Sequence, residues 1–553
     1  MGSARSARSS RGLQGFVAVA AVAVAWAAAL ATPAAAQAPS PPPSPAPSRA
    51  PLRLPLGANP DSALAAEIAK IPGTALALEE AVQAALEQDT AIVEAEAVLR
   101  AAQGVVRREK GPFDPEVFAR YDVDDQEIPA SSPLAGAQVL ETNERATSVG
   151  ARKRFGSTGT EIEAAVDSRR LDTNSGFETL IPKYVAEGRL SLTQPLLKGF
   201  GPSARAELSA AERDLEAAQS QYESTVLAVR STVEQFYWDL YAAERDVAVE
   251  RLIRDRGARL LEDTRVRARS GLVGPDDVAN AQVFLAQEEQ AVLDREERLG
   301  AVSDRLATLM GRRPEPGMSR FRPTQGPPLA FAEAPVDSVV QLALSHNHDL
   351  QVVERRIESV RALERGARWD ALPDLQLVGS LGGNGLAGTP HPVVFPGSVD
   401  TLSATVRGDA GEAWSQVFSR DFPTWTLGLR LSVPLGLREG RGERDRLRAE
   451  AERAENQLTA VRRGLEEDVR NRHRELSNAP RRVQAARTGV EAAIEQTRIG
   501  ILEYESGRTT AFELVRLAAD VATAQQRYSE ALVRAAKAAA ELRLLTAGTF
   551  PPP

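Results

Sequence analysis

Hydrophobic residues along this chain recur at two different periods, and the two periods alternate. In the first half Leu208, Ala211, Leu215, Ala218, Tyr222, Val226, Val229, Val233, Phe236, Leu240, Ala243 and Val247 step by three and four. That spacing predicts a long helix with one apolar seam that needs partner helices. In the second half Leu447, Ala451, Ala454, Leu458, Val461 and Leu465 do the same, and Val483, Ala486, Val490, Thr497, Ile501 and Tyr504 resume the seam. Each run covers about 65 residues, a rod of about 100 Å at about 1.5 Å per residue. Pro480 falls inside the second rod, where it removes a backbone donor and predicts a kink. The position aligned with it in the first rod is Glu244.

Between the helical runs the period drops to two. Trp425, Leu427, Leu429, Leu431 and Val433 alternate with Thr424, Thr426, Gly428, Arg430 and Ser432. Leu375, Leu377 and Leu381 alternate with polar residues, as do Val117, Ala119, Tyr121 and Val123, and Tyr184, Ala186, Leu190 and Leu192. Four strands of about ten residues with one apolar and one polar face suit a barrel with lipid outside and water inside, and a half-buried soluble sheet shares the alternation. Four strands cannot close such a barrel, since the smallest use about eight, so closure requires several copies of the chain. Pro195 and Pro434 end the second strand of each pair just before a long helix begins.

The order of elements occurs twice. Around the two turns that follow the long helices the chain reads SGLVGPDDVANA (270–281) and SGRTTAFELVRL (506–517), and upstream LYAAERDV (240–247) lies over LSNAPRRV (476–483) at the same offset. This duplication predicts two tandem repeats, 76–330 and 331–548, each running helix, two strands, long helix, tip turn and helix. The first copy carries an extra hairpin, TSVGARKRF (147–155) and TEIEAAVDSR (160–169), between its two strands.

Composition narrows the setting. Hydrophobic residues make up 43% of the 553 but aromatic ones only 5%, as expected of long helices. Arg5, Arg8 and Arg11, an apolar run from Phe16 to about Leu30 and Ala34-Ala35-Ala36 read as a secretory signal over 1–36; the Arg and Ser content is also that of a mitochondrial transit peptide. Residues 37–75 begin proline-rich and read as an extended periplasmic spacer. No later stretch approaches eighteen apolar residues, so any membrane crossing is by β-barrel. The absence of cysteine excludes disulfides and thiolate metal sites, and a net charge of −8 argues against nucleic acid as a partner.

Together QPLLKGFG (194–201), FYWDLYAAE (236–244), GLVGPDDVANA (271–281) and YESGRTTAFELVRLA (504–518), in this order and spacing, resemble the TolC-like outer-membrane efflux family over about 74 to 548. The resemblance implies a mainly α fold with membrane β: a homotrimer in which four strands per chain build a shared 12-stranded β-barrel in outer-membrane lipid and the helices build a tunnel in the periplasm. It further implies that the tip turns, at Gly271 and Gly507, contact a periplasmic adaptor and open when an inner-membrane pump engages, in efflux or type I secretion. The extra hairpin either extends an external loop or adds strands to the barrel, and the family pattern implies the loop.

In that family polar links hold the tip shut. By resemblance Asp277 falls on a linking aspartate, Asp276 on its hydroxyl-bearing neighbour and Tyr504 on the linking tyrosine. The expected arginine is replaced by Thr509, with Arg508 one place early, and the two aspartates that narrow the entrance are Glu513 and Arg516 here. For each of these side chains the plainer reading is a solvated charge at a helix end.

No catalytic constellation is legible, and no cofactor or metal is expected. His346-Asn347-His348 opens an amphipathic helix rather than a metal site, and GLREGRG (436–442) lacks the lysine and hydroxyl ending of a phosphate loop. A periplasmic adaptor would carry one helical hairpin flanked by small β-domains, and a secreted structural coiled coil would not need the alternating leucines of 425–433. The sequence reads best as a conduit.

Overall fold

The computed structural model describes residues 60–550 apart from 130–136, 329, 332–333, 396–397 and 401–405, all within one compact unit, Gly57–Pro553. The secretory signal and the spacer up to residue 59 lie outside the described residues. From Pro60 the spacer reading fails. Helix α1 (Pro60–Ile68) and strand β1 (Thr74–Leu76) occupy its end, because Leu64, Ile71 and Leu76 bury themselves in the main helical core.

The first repeat opens with α2 (Leu78–Gln88) and α3 (Thr90–Lys110). Asp89 divides them, its carboxylate accepting from the Ala91 amide at 2.8 Å, which satisfies one of the free donors at a helix start. Four strands follow: β2 (Glu116–Pro129), β3 (Val139–Arg154), β4 (Glu161–Thr173) and β5 (Leu180–Pro195). Then come α4 (Ala206–Arg269), α5 (Pro275–Leu309) and β6 (Phe321–Pro323), which pairs in parallel with β1.

The second repeat begins with α6 (Val336–His346) and α7 (His348–Asp370). Asn347 is the N-cap between them, accepting from Leu350 N at 2.9 Å and donating through Nδ2 to the Leu545 carbonyl at 3.0 Å. The histidine triplet is thus a helix entrance, as its aligned position suggests. Next are β7 (Asp374–Pro390), the short pair β8 (Val393–Phe395) and β9 (Ser398–Asp400), helix α8 (Ala410–Ser419) and β10 (Phe422–Ser432). Helices α9 (Arg438–Ser477), α10 (Ala479–Glu505) and α11 (Ala511–Leu545) close the chain.

The two rods differ where the sequence says they should. Helix α4 is unbroken for 64 residues. Its counterpart is interrupted at Asn478, and Pro480 lies in the first turn of α10, where its missing N–H costs no hydrogen bond. Helix α4 is the spine: α3, α5, α7 and α11 all pack against it. Its seam residues Val233, Leu240 and Val247 are fully buried in one cluster with Tyr237, Leu306, Met310 and Phe321. At roughly 25 cal/mol per Å² of apolar surface, side chains of this size each stabilise the bundle by about 1.5–3 kcal/mol.

The large sheet is antiparallel throughout, in the order β10-β7-β5-β4-β3-β2. It holds six strands where four were expected. The extra hairpin is β3 and β4, longer than the sequence suggested and paired on both sides, so it extends the ladder instead of forming an external loop. The count of four strands per chain is corrected by this pairing to a sheet of six. Helix α8, not anticipated from the sequence, packs on the apolar face of the sheet. Small residues make that possible: a Cβ on Gly385 would lie 1.8 Å from the Ala413 carbonyl oxygen, and Ala186, Ala387, Ala413 and Val417 form the contact.

Tyr237 joins spine and strands. Its hydroxyl donates to the Leu76 carbonyl at 3.2 Å and accepts from Gln325 N at 3.1 Å in a fully buried site. Tyr237→Phe leaves the Gln325 donor unsatisfied, and the thermal unfolding of the purified protein should record a loss of about 1–3 kcal/mol.

Candidate functional site at the helical tip

The two rods end in the same local structure. Gly271 and Gly507 take φ of +71° and +73°. After each, an amide reaches back five residues: Leu272 N to the Arg267 carbonyl at 2.9 Å and Arg508 N to the Glu503 carbonyl at 2.8 Å. This is the left-handed glycine stop that satisfies the last carbonyls of a helix, and no residue with a Cβ adopts it without strain. Thr510 and Gly274 then start α11 and α5, with Pro275 in the first turn of the latter and Asp276 and Asp277 close behind it, where a carboxylate is favoured.

Between the tips lies one interhelix lock. Tyr504, near the end of α10, is only 4% exposed. Its hydroxyl is 3.1 Å from Thr264 Oγ1 on α4, and Arg267 Nη1 donates to the Tyr504 backbone carbonyl at 3.0 Å. The Arg267 guanidinium also sits over the Tyr504 ring, 4.2 Å from its centroid, and is held there by Asp263 at 2.8 Å. A cation on an aromatic face that is also fixed by a carboxylate and a carbonyl is pinned from three sides.

The structure thus brings one of the sequence-derived residues, Tyr504, into the lock and leaves the others beside it. Asp276 is exposed and Asp277 half-buried, and neither is hydrogen-bonded to Tyr504 among the described residues. Arg516 pairs with Glu513 on its own helix, Nε to Oε2 at 3.1 Å, so this acid and base neutralise each other at an exposed site. Arg508 and Thr509 lie in the turn itself. Sequence reading missed Asp263, Thr264 and Arg267. The signal was present as a threonine and an arginine three apart on α4, opposite a tyrosine, but only the crossing of α4 and α10 makes them partners.

Higher on α4 the wall buries acids. Glu244, 4% exposed, has its carboxyl pushed up to about 7 by desolvation, opposed by Arg322 and Arg320. Asp246 is pushed up to about 6 and Glu288 to about 7, again chiefly by burial. Among the described residues no group of three His, Asp or Glu side chains could hold a metal ion, and no helix is long and apolar enough to cross a membrane.

Comparison with known proteins places this architecture. The family model described as outer membrane efflux protein matches residues 81–312 and 339–548, one match per repeat. Among solved structures, the outer-membrane channel OprN superposes with a TM-score of 0.62 at 18% identity, covering 86% of this chain and 91% of that one. The outer membrane protein VceC from Vibrio cholerae gives 0.60 at 15%, covering 86% and 97%, and the CmeC outer membrane channel of Campylobacter jejuni gives 0.61 at 13%, covering 86% of each. No curated protein matches the sequence.

The buried acids set a pH dependence. Folding raises the Glu244 carboxyl from 4.5 to about 7, so between those values the folded chain holds more protons than the unfolded one. Stability from this group is therefore highest below about pH 4.5 and falls as pH rises through 7. Asp246 and Glu288 act in the same direction. Glu244→Gln should flatten the decline of the melting temperature between pH 5 and 7.5 and raise that temperature at pH 8, measured by thermal unfolding in detergent.

Proposed function

The chain belongs to the outer membrane efflux protein family, and from that membership we propose how this duct is assembled and gated. An outer-membrane exit duct with its helical tunnel in the periplasm is not an enzyme but a passage. In our reading three copies form the channel: the sheets close into one barrel, and the two repeats, 76–330 and 331–548, supply equivalent wall segments after the signal at 1–36 is removed. Cargo enters at the tip from an inner-membrane pump through a periplasmic adaptor and leaves through the barrel.

The observation that carries the membrane end is the face of β10. Trp425 is 72% exposed, and Leu427, Leu429 and Leu431 are similarly open on the same side of one strand. A contiguous apolar surface of this kind needs a nonaqueous cover, and an outer-membrane barrel provides one. At the other end Leu272, 74% exposed in the tip turn, and Phe512 offer apolar contacts to an adaptor or to a neighbouring copy.

Our gate assignment centres on Tyr504 with Thr264 and Arg267, which tie α10 to α4. Asp276 and Asp277 stand within reach of an adjacent copy at the tip, and Arg508, Thr509, Glu513 and Arg516 line its entrance. Because Arg516 neutralises Glu513, the entrance attracts cations less than a ring of acids would.

Single-channel recording in planar bilayers tests this. Arg267→Ala and Tyr504→Ala should loosen the tip and raise conductance several-fold, Tyr504→Phe should do so less because the ring remains, and Asp277→Ala should raise it if that carboxylate bridges two copies. Currents unchanged in the Arg267 and Tyr504 variants would remove the gate from this place.

A further inference from the structure

The hairpin β3–β4 changes the barrel itself. We propose that it is part of the transmembrane wall, so that each chain contributes six strands and three chains share an eighteen-stranded barrel, sealed where β10 of one copy pairs with β2 of the next. This rests on the outer-membrane channel reading above.

The hairpin spans the height of the sheet. Strand β2 leaves the junction with the helices, and a hairpin that served as an external loop would stay at the far end of the sheet. The turn between β3 and β4 instead returns to the junction. The Thr160 hydroxyl donates to Gln194 Oε1 and Gln194 Nε2 donates to the Thr158 carbonyl at 3.4 Å, beside Pro195 where β5 ends. Gly159 approaches so closely that a Cβ there would lie 2.2 Å from the Gly199 carbonyl oxygen. At the same level a Cβ on Gly156 would meet the Phe113 ring, just after α3. Both hairpin strands therefore run the full height of the sheet, in unbroken register from Thr142↔Thr173 to Arg154↔Glu161.

Its strands also keep the phase of their neighbours. Following the pairing across the sheet, Trp425 stands beside Leu381, then Leu190, Ala164, Ala151 and Val117. The next row runs Gly383, Gly188, Val166, Val149 and Ala119, with Val417 of α8 lying over the two glycines and the hairpin valines beyond it left open. In these rows one apolar face crosses all six strands in phase, the register shift of β5 against β7 falling between Leu180 and Lys183 at the far end, although a shift of one residue within the rows would have turned a strand inside out. The opposite face carries the charges, and they bridge neighbouring strands: Arg152–Glu116 at 2.8 Å, Arg169–Glu144 at 2.9 Å and Arg189–Glu163 at 3.8 Å. On the apolar face of β3 charge appears at Lys153 below and at Arg145 and Glu141 above, with Thr147, Val149 and Ala151 between them. Eight residues at about 3.3 Å span about 26 Å along the strand, which at a tilt of about 40° is about 20 Å of height, most of the roughly 25 Å lipid-facing band of an outer-membrane barrel. A loop in water has no need of this segregation.

The edges of the sheet call for a neighbouring copy. Among the described residues, strands β2 and β10 each have one side without a partner in the sheet. In lipid an unpaired backbone donor or acceptor costs several kcal/mol, so those edges must meet something, and the occupant that fits is a second copy. Six strands in alternating direction leave β2 and β10 antiparallel to each other, so head-to-tail joining continues the same ladder and closes after a whole number of chains. With strands about 4.8 Å apart and tilted about 40°, eighteen give a barrel about 36 Å across where twelve give about 24 Å. The exit is then much wider than four strands per chain allow, and the narrow point of the duct moves to the tip.

Because the chain has no cysteine, single cysteines can be placed without background. Val149→Cys and Val166→Cys report the apolar face of the hairpin, Ser148→Cys and Asp167→Cys the polar face, and Leu429→Cys on β10 is the reference. Each variant is spin-labelled in liposomes, and its accessibility to oxygen, which concentrates in lipid, is compared with that to a water-soluble nickel complex. The proposal expects labels at 149 and 166 to match the oxygen-rich signature at 429, and those at 148 and 167 to be several-fold more open to nickel. Labels at 149 and 166 that are open to nickel while 429 stays in lipid would overturn the six-strand wall and leave the channel reading intact. A label at 429 that is itself open to nickel would overturn both. For the seam, Leu429→Cys combined in turn with Val117→Cys, Ala119→Cys or Tyr121→Cys should give oxidised, covalently linked trimers in at least one pairing; failure of all three would overturn the contact between β10 and β2.

Discussion

A backbone amide in hydrocarbon has no water to bond, and among its described residues this chain ends its sheet in two strands whose outer edges are unpaired. That requirement orders much of the rest of the molecule. It makes a single copy incomplete, because an open sheet cannot stand in lipid however well its inner strands pair. It asks for an even number of strands per chain, so that successive copies join in the antiparallel sense. It explains the placement of charge as well: Arg152, Arg169 and Arg189 with their acids lie on the face that a closed barrel turns to water, while the valines and leucines of the other face go to lipid.

The helices answer a different demand. A wall made of rods needs seams on more than one side, and α4 supplies them, carrying α3, α5, α7 and α11 around a run of buried valine, leucine and alanine. Polar ties join the repeats along the same spine: Lys537 with Asp239 at 2.5 Å, and Arg543 with Glu234. The repeats are alike in order and unlike in detail. Where α4 buries Glu244 without interruption, its counterpart breaks at Asn478, so one rod is stiff and the other jointed near mid-length. A stiff rod is thus tied near its end to a jointed one through Tyr504 and Arg267.

Much of this was legible in the sequence because it depends on local pattern. The heptad runs, the alternation in β2, β5, β7 and β10, the break near Pro480 and the glycine stops at 271 and 507 all follow from periodicity or from the conformational freedom of one residue. The hairpin was seen as a hairpin, but its position was not, because alternation cannot say which strand lies beside which; the Gln194 and Gly159 contacts that return its turn to the junction join residues some 35 apart. Helix α8 was missed for a similar reason, since its seat is made by glycines that look like breakers. At the tip, Tyr504 was found through resemblance, whereas Thr264 and Arg267 were hidden because their partner is 237 to 240 residues away. The segment from Pro60 was misread from the prolines before it, which gave no hint that Leu64 and Ile71 are core residues.

The central claim is that the chain completes itself only by joining copies of itself in the outer membrane. Its most direct test is the mass of the particle extracted from the membrane fraction in mild detergent, compared with the 59.3 kDa of the full chain less its signal. The account predicts a membrane-bound particle of three chains. A monomer that remains soluble after cell disruption would contradict it, because the edges of β2 and β10 would then be left unpaired in water and the apolar face of the sheet would have no lipid to cover it.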